Sequence, residues 1–183
     1  MEDKFKNLET ERLILRKIES RDASDLYEGI YHDFDYYKYY YPLPFESYEE
    51  YQRLVDKYEE WYHNGNHFRW GMERKEDHKM IGIVQLHTKD NINNNCKLGY
   101  IISSKEKKKG YMKEALQKVI HFAFEELNYH RLEAEIVTLN MDSISLVKTL
   151  PMKEERIKEE SYLLKGKYYD QVVYTLINRK KDK

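Results

Sequence analysis

The stretch Lys97–Leu127, KLGYIISSKEKKKGYMKEALQKVIHFAFEEL, decides how the rest of the chain is read. Lys97–Ser103 is rich in β-branched and aromatic residues and reads as a strand. Met112, Ala115, Leu116, Val119, Ile120, Ala123 and Leu127 then recur at the 3.6-residue period of an amphipathic helix. Between them lies a basic loop, Lys105-Glu106-Lys107-Lys108-Lys109-Gly110, whose glycine falls at the helix start. A helix N-terminus offers unpaired backbone N–H groups and the positive end of the macrodipole. A glycine there lets a ligand approach the backbone, and the lysines add full charges. The chemistry fits a phosphate cradle. The same residues also fit a solvated, charged turn, so the loop alone does not decide between the two.

The surrounding chain bounds the possibilities. Its 183 residues are expected to form one domain, residues 1–183. A single cysteine, Cys96, allows no internal disulfide, which fits a reducing cytoplasm. The charged start MEDKFKNLETER lacks the apolar core of a signal peptide, and no apolar run has the length of a membrane-spanning helix. Lys and Arg (32) nearly balance Asp and Glu (33), which argues against a general nucleic-acid coat. The loop Lys105–Lys109 alone would support a local nucleic-acid patch. No zinc spacing, paired-carboxylate motif or Walker loop is present, so no metal is expected.

In chain order, Glu11–Ile18 reads as the first strand, and Ser20 as the N-cap of a helix through Ala23, Leu26 and Ile30. The tyrosine-rich stretch Tyr31–Phe45, broken by Pro42 and Pro44, reads as a loop. Ser47 and Glu50 form a capping-box pattern opening a helix over Tyr48–His63, ended by Asn64-Gly65. Strands are predicted over His67–Glu73, Met80–Thr88, Arg131–Thr138, Glu155–Leu164 and Asp170–Ile177. Asn140–Leu150 reads as a short helix stopped by Pro151. This interleaving predicts an α/β fold: a mixed, mostly antiparallel sheet of about six or seven strands with helices on both faces.

Seven pieces in order, Glu9–Arg16, Met80–Ile83, Leu98–Ile101, Gly110–Ala115, Arg131–Ala134, Asn140–Ser143 and Gly166–Asp170, resemble those of the GNAT superfamily of acetyltransferases, in the branch of the ribosomal-protein N-terminal alanine acetyltransferases. Glu9-Thr-Glu-Arg-Leu-Ile-Leu-Arg16 is similar to that branch's T-x-R-L-x-L-R start, and Met80-Ile-Gly-Ile83 to its apolar-Gly-apolar strand. Leu98-Gly-Tyr-Ile101 is similar to its E-L-G-Y-W-I strand, with Lys97 in the acidic slot. Gly110-Tyr-Met-Lys-Glu-Ala115, Arg131-Leu-Glu-Ala134, Asn140-x-x-Ser143 and Gly166-Lys-Tyr-Tyr-Asp170 resemble four further pieces in the same order. Two departures stand out. Lys108 replaces a common loop glycine, with Met112 where a small residue is usual. Pro151 stands where the family has a flexible glycine.

The resemblance implies transfer of an acetyl group from acetyl-CoA to a primary amine, on a peptide or small molecule, by direct transfer in a ternary complex. It implies pyrophosphate on the backbone of Lys107, Lys108, Lys109, Gly110, Tyr111 and Met112, and pantetheine along Leu98–Ile102, with Ile101 and Ile102 as contacts. A backbone N–H near Ile101 would receive the developing oxyanion. Asn140 would hold the coenzyme and Ser143 the leaving group, although Asn-x-x-Ser is also a good helix N-cap. Tyr100, His87 and Glu73 are candidate bases, and the tyrosine-rich loop with Asp33 and Asp35 could attract a cationic amine. The altered loop and Pro151 motivate the alternative, a non-catalytic acyl-CoA-binding module. A monomer or homodimer without membrane or nucleic-acid partners is expected.

Overall fold

The computed structural model describes residues 5–32, 38–39, 45, 47–63 and 68–179. Eight strands form one sheet: β1 (Leu8–Glu9), β2 (Leu13–Arg16), β3 (Phe68–Arg74), β4 (Met80–Asp90), β5 (Asn95–Ile102), β6 (Arg131–Val137), β7 (Lys153–Leu164) and β8 (Lys167–Ile177). Their spatial order is β1-β2-β3-β4-β5-β6-β8-β7, so the count is eight rather than six or seven. The added strand is the short β1, which pairs Leu8 with Leu15 and Glu9 with Ile14. Two residues leave no alternation for a sequence pattern to show. The helices are α1 (Ala23–Leu26, continuing as a π-turn through Tyr27–Tyr31), α2 (Tyr48–His63), α3 (Tyr111–Glu125) and α4 (Met141–Val147). Asn64-Gly65, the expected end of α2, and most of the tyrosine-rich loop, with Asp33 and Asp35, lie outside the described residues.

Side-chain alternation along the strands sends alternate residues to two cores. Val84, Leu86, Leu98, Leu132, Ala134 and Ile136 pack with α3 and α4 on one face. Met80 and Ile83 pack with Ile18, α1 and α2 on the other. The amphipathic period of α3 is met as expected: Met112, Ala115, Leu116, Val119, Ile120, Phe122 and Ala123 are buried against the sheet. At the start of α2 the Ser47 Oγ accepts from Glu50 N (3.2 Å), as its capping pattern predicts. Ser20 is not the cap of the first helical turn. Glu19 takes that place, its N–H donating to Asp22 Oδ2 (2.8 Å), while Ser20 Oγ donates to Asp56 Oδ1 (2.6 Å). A carboxylate accepts from a backbone N–H more strongly than a hydroxyl does, which decides the competition.

All pairings are antiparallel except β5 with β6, which is parallel. That pairing covers only Asn95–Arg131, Cys96–Leu132 and Lys97–Glu133. Beyond Lys97 the two strands separate. β5 continues in full register with β4 to Ile102, and β6 with β8 to Val137. The sheet therefore holds a wedge-shaped gap in its middle, lined by backbone groups without a partner strand.

Arg16 ties the first strand to the α1 side. Its guanidinium makes a two-point contact with Asp22 (2.7 and 2.8 Å) and also donates to Glu73. All three side chains are buried. Burial pushes the Glu73 carboxyl up, but hydrogen bonds from His78 and Arg16 and their charges hold it below its ordinary value. Arg16→Ala should therefore destabilise the fold by about 3–5 kcal/mol at pH 7, because it strands buried carboxylates. The deficit should shrink as pH falls through the depressed Glu73 value, where that carboxylate becomes neutral. Urea unfolding of both proteins at neutral and acid pH measures this, and an unchanged midpoint at pH 7 would contradict it.

Candidate active site

Two cavities open on opposite sides of the gap and meet at it. The first, about 460 Å³, lies between the Ser104–Tyr111 loop and α4. The second, about 700 Å³, lies over the other face, where Arg69, Gln85, His87, Lys97, Gly99 and Glu135 form part of its wall. Tyr39, Tyr100, Ile101, Asn140 and Ser143 line both. Tyr100 comes from β5 and Ser143 from α4, on opposite sides of the gap. They are joined by a hydrogen bond of 2.6 Å between Tyr100 Oη and Ser143 Oγ. Burial pushes the Tyr100 phenol up to about 12, against a lowering contribution from the Ser143 hydrogen bond. A phenol so placed keeps its proton at neutral pH. In that state it is a hydrogen-bond donor, whereas the base that the sequence suggests would need the phenolate.

The backbone of β5 supplies donors to the gap in alternation. Ser103 N donates to Ile81 O on β4 (3.0 Å), whereas Asn94 O points the other way and accepts from His130 N (2.8 Å). Because successive N–H groups alternate along a strand, Gly99 and Ile101 aim theirs at β4. Leu98, Tyr100 and Ile102 aim theirs at the gap. The backbone donor expected near Ile101 is thus carried by its neighbours on either side. Gly99 leaves room for its neighbours: a Cβ there would stand 2.8 Å from Gln85 Nε2 and 3.1 Å from His87 Cδ2, and those side chains would have to shift.

The basic loop closes one end of the first cavity. Gly110 has φ +87° at the start of α3, and no side chain caps that helix. The N–H groups of its first turn therefore remain available. Lys108 also has positive φ, +61°, at the position where the family has an extra glycine. Positive φ values alternating with negative ones turn successive N–H groups inward, as in anion-binding nests. Lys107, Lys108, Gly110, Tyr111 and Met112 line the cavity; Lys109 does not. Its ammonium is turned to Glu106 (2.9 Å) and its carbonyl accepts from Arg12 Nη1 (3.0 Å). Met112 both lines the cavity and packs into the core beneath the loop. Pro151 lines neither cavity.

Sequence reading did not assign the residues that hold this loop. Arg12 N and Nε donate to the Glu114 carboxylate (2.9 and 2.8 Å), and the guanidinium lies 4.4 Å from the Tyr111 ring centroid. Arg74 donates to Glu106 (2.9 Å) from the neighbouring strand. The arginine of the Thr10-Glu11-Arg12 start is therefore the brace of a loop roughly a hundred residues away. Only the recurrence of Arg12 and Glu114 within two motifs hinted at it.

Asn140 is both a cap and a wall residue: its Oδ1 accepts from Ser143 N (3.1 Å), which leaves the amide NH₂ for the junction. Of the candidate bases, His87 lines the second cavity and Glu73 lines neither, being engaged by Arg16 and His78. Burial lowers the His87 value, assisted by the charges of Lys97 and Arg69, so the imidazole is neutral at pH 7. Lys97, in the slot where the family has an acid, pairs with Glu135 of β6 (2.7 Å), which also meets Lys158 (3.2 Å).

The Acetyltransferase (GNAT) domain family matches residues 12–153. The chain thus belongs to the GNAT acetyltransferases. It is 28% identical to an uncharacterized N-acetyltransferase of Bacillus subtilis strain 168, YoaA, over 94% of this chain and 97% of that one. It is 27% identical to the [Ribosomal protein uS5]-alanine N-acetyltransferase of Escherichia coli K12, over 92% and 89%. Its fold matches that of RimL, a ribosomal L7/L12 alpha-N-protein acetyltransferase solved in complex with coenzyme A. The TM-score is 0.82 and the identity 18%, with 94% of this chain and 98% of that one covered.

If the loop binds phosphate through its backbone, shape matters more than any one lysine. Gly110→Ala forces a side chain to φ +87°, 3.2 Å from Arg12 Nη2. Reshaping that turn should cost about 1–2 kcal/mol, or roughly tenfold in CoA affinity. Lys107→Ala should cost only a few-fold, with the loss shrinking at high salt. Calorimetric titration of CoA checks both, and a larger loss from Lys107→Ala than from Gly110→Ala would contradict the backbone cradle.

Proposed function

We propose that this protein transfers the acetyl group of acetyl-CoA directly to a primary amine, with a peptide α-amine ahead of a lysine side chain. The observation that carries the proposal is the meeting of two cavities at the Tyr100–Ser143 hydrogen bond. One cavity has a phosphate-fitting loop at its end, and the other opens on the opposite face of the sheet. A thioester entering from the first side and an amine from the second would meet in the gap between β5 and β6.

The chemistry then has defined parts. The amine nitrogen attacks the thioester carbonyl carbon, a C–N bond forms, and the carbonyl oxygen takes the negative charge. Outward N–H groups of β5, at Tyr100 or Ile102, are aimed to receive it. The C–S bond breaks, and the leaving sulfur accepts a hydrogen bond from Ser143 Oγ, itself supported by the Tyr100 phenol. The nitrogen gives up one proton and the thiolate gains one, so the exchange balances. A protein α-amine has a pKa of about 7.7–8.0 against about 10.4 for lysine. It is partly uncharged at neutral pH, so a neutral His87 or water suffices as acceptor of its proton. A single, buried Cys96 supports a reducing cytoplasmic setting for this reaction. Lys108 and Pro151, which motivated a non-catalytic reading, give it little support: the loop keeps its turn and Pro151 stands away from both cavities.

Initial rates of thiol release test the assignment. Ser143→Ala should lower kcat by about tenfold or more while leaving KM for acetyl-CoA within a few-fold, as a contact made chiefly in the transition state does. Tyr100→Phe should fall similarly. The double variant should lose less than the product of the two, because both remove one hydrogen bond. With a peptide acceptor, kcat/KM should rise with pH and level off above about 8, where the α-amine is uncharged. It should not climb onward as an essential Tyr100 phenolate would require. A change in melting temperature alone for Ser143→Ala would reduce Ser143 to a structural partner of Tyr100.

A further inference from the structure

The amine-side cavity carries a cation that its own fold does not neutralise. Arg69 lies on β3, half-buried in the cavity wall. Its Nε donates to Gln85 Oε1 (2.9 Å), its guanidinium lies 4.7 Å from the Tyr58 ring centroid, and its carbonyl accepts from Tyr62 Oη (2.8 Å). The side chain is thus fixed in place. Yet its terminal nitrogens form no ion pair with any described carboxylate. Among the described residues of the wall, Glu135 is the only carboxylate, and Lys97 (2.7 Å) and Lys158 (3.2 Å) already hold it. Among the described wall residues, Arg69 and Lys97 set two positive charges against that one negative charge, which leaves a net positive balance. His87 is lowered chiefly by burial, and the charges of Lys97 and Arg69 lower it further against the raising effect of Glu135.

From this arrangement we infer that the acceptor is an amine carrying its own carboxylate, which Arg69 binds. This rests on the acetyl-transfer reading and deepens it. A fixed, planar guanidinium suits a carboxylate, which it can grip at two points. The register places Arg69 opposite Gln85, and Gln85 opposite Gly99. At about 4.8 Å per strand, Arg69 stands two strands, or roughly 10 Å, from the β5 backbone beside Tyr100. An amine nitrogen at the gap and a carboxylate on Arg69 are then separated by the length of a short peptide. The intervening position is Gln85, whose side chain holds Arg69 and lies over Gly99, so a bound peptide would run along that amide. A polycation would place a second ammonium against Arg69 and Lys97, where like charges repel.

The test is thiol release with a matched set of acceptors at low salt. Tripeptide amides Ala-Xaa-Ala, with Xaa as Glu, Gln or Lys, compare an acidic, neutral and basic side chain at constant size. The dipeptide Ala-Ala, free acid against amide, tests a C-terminal carboxylate instead, and spermidine tests the polycation. An acidic acceptor should exceed its neutral partner by about tenfold in kcat/KM. The lysine peptide and spermidine should be poorer still. Preference in the tripeptides points to a side-chain carboxylate and preference in the dipeptides to a terminal one; either supports the inference. Arg69→Gln should erase the preference with KM for acetyl-CoA unchanged, and Arg69→Lys should keep part of it. Equal rates across each pair, spermidine or the lysine peptide ahead, or a preference surviving in Arg69→Gln would overturn the anionic acceptor while leaving acetyl transfer standing. Failure of every amine to release thiol would overturn the acetyl-transfer reading itself.

Discussion

The structure depends on a parallel pairing that stops early. β5 and β6 share three residue pairs and then part, each held instead by its antiparallel neighbour on the outer side. A sheet interrupted in this way has unpaired backbone donors at its centre, where a continuous sheet would have none. Those groups must find partners or water. A ligand chain that lies along β5 can take the place of the missing strand. The outward N–H groups of Leu98, Tyr100 and Ile102 then become recognition elements rather than a defect.

The two flanks of the gap are made differently. The coenzyme-side flank is rigid and ionic: Arg12 braces Lys109, Glu114 and Tyr111, while Arg74 and Lys109 share Glu106. Such bracing lets Lys108 and Gly110 hold positive φ values that an unsupported loop would relax. The opposite flank has a polar floor. Among its described residues cations outnumber carboxylates, and its aromatic lining is spread over several elements, with Tyr31, Tyr58, Phe68 and Tyr162 among it. Tyr100 and Ser143 stand at the contact between these two environments, and this is where the proposed acyl group changes hands.

Helix periods, capping patterns and loop chemistry were legible in the chain because they are local. The start of α2 follows from Ser47 and Glu50, and the buried stripe of α3 from its spacing. The Lys107–Gly110 turn is marked by its own glycine. The early stop of the β5–β6 pairing was not legible. It depends on how strands more than thirty residues apart twist relative to each other, and Leu98–Ile102 would read the same with a partner. The Arg12–Glu114 brace and the Arg69 position were hidden for the same reason, since each joins elements distant in sequence. Tyr100 is legible as a site residue, but its surroundings are not. A tyrosine's letter does not report burial, and burial is what fixes its phenol near 12.

The proposed reaction needs no covalent intermediate on the protein. Cys96 is buried, and burial pushes its thiol up to about 12, so it carries no thiolate at neutral pH. Initial-rate kinetics with acetyl-CoA and an amine both varied are the most direct check of transfer across the gap. Double-reciprocal lines should intersect, as a ternary complex requires, and intact-mass spectra of protein incubated with acetyl-CoA alone should show no added acetyl group. Parallel lines together with a stoichiometric acetyl adduct would contradict direct transfer between the two cavities.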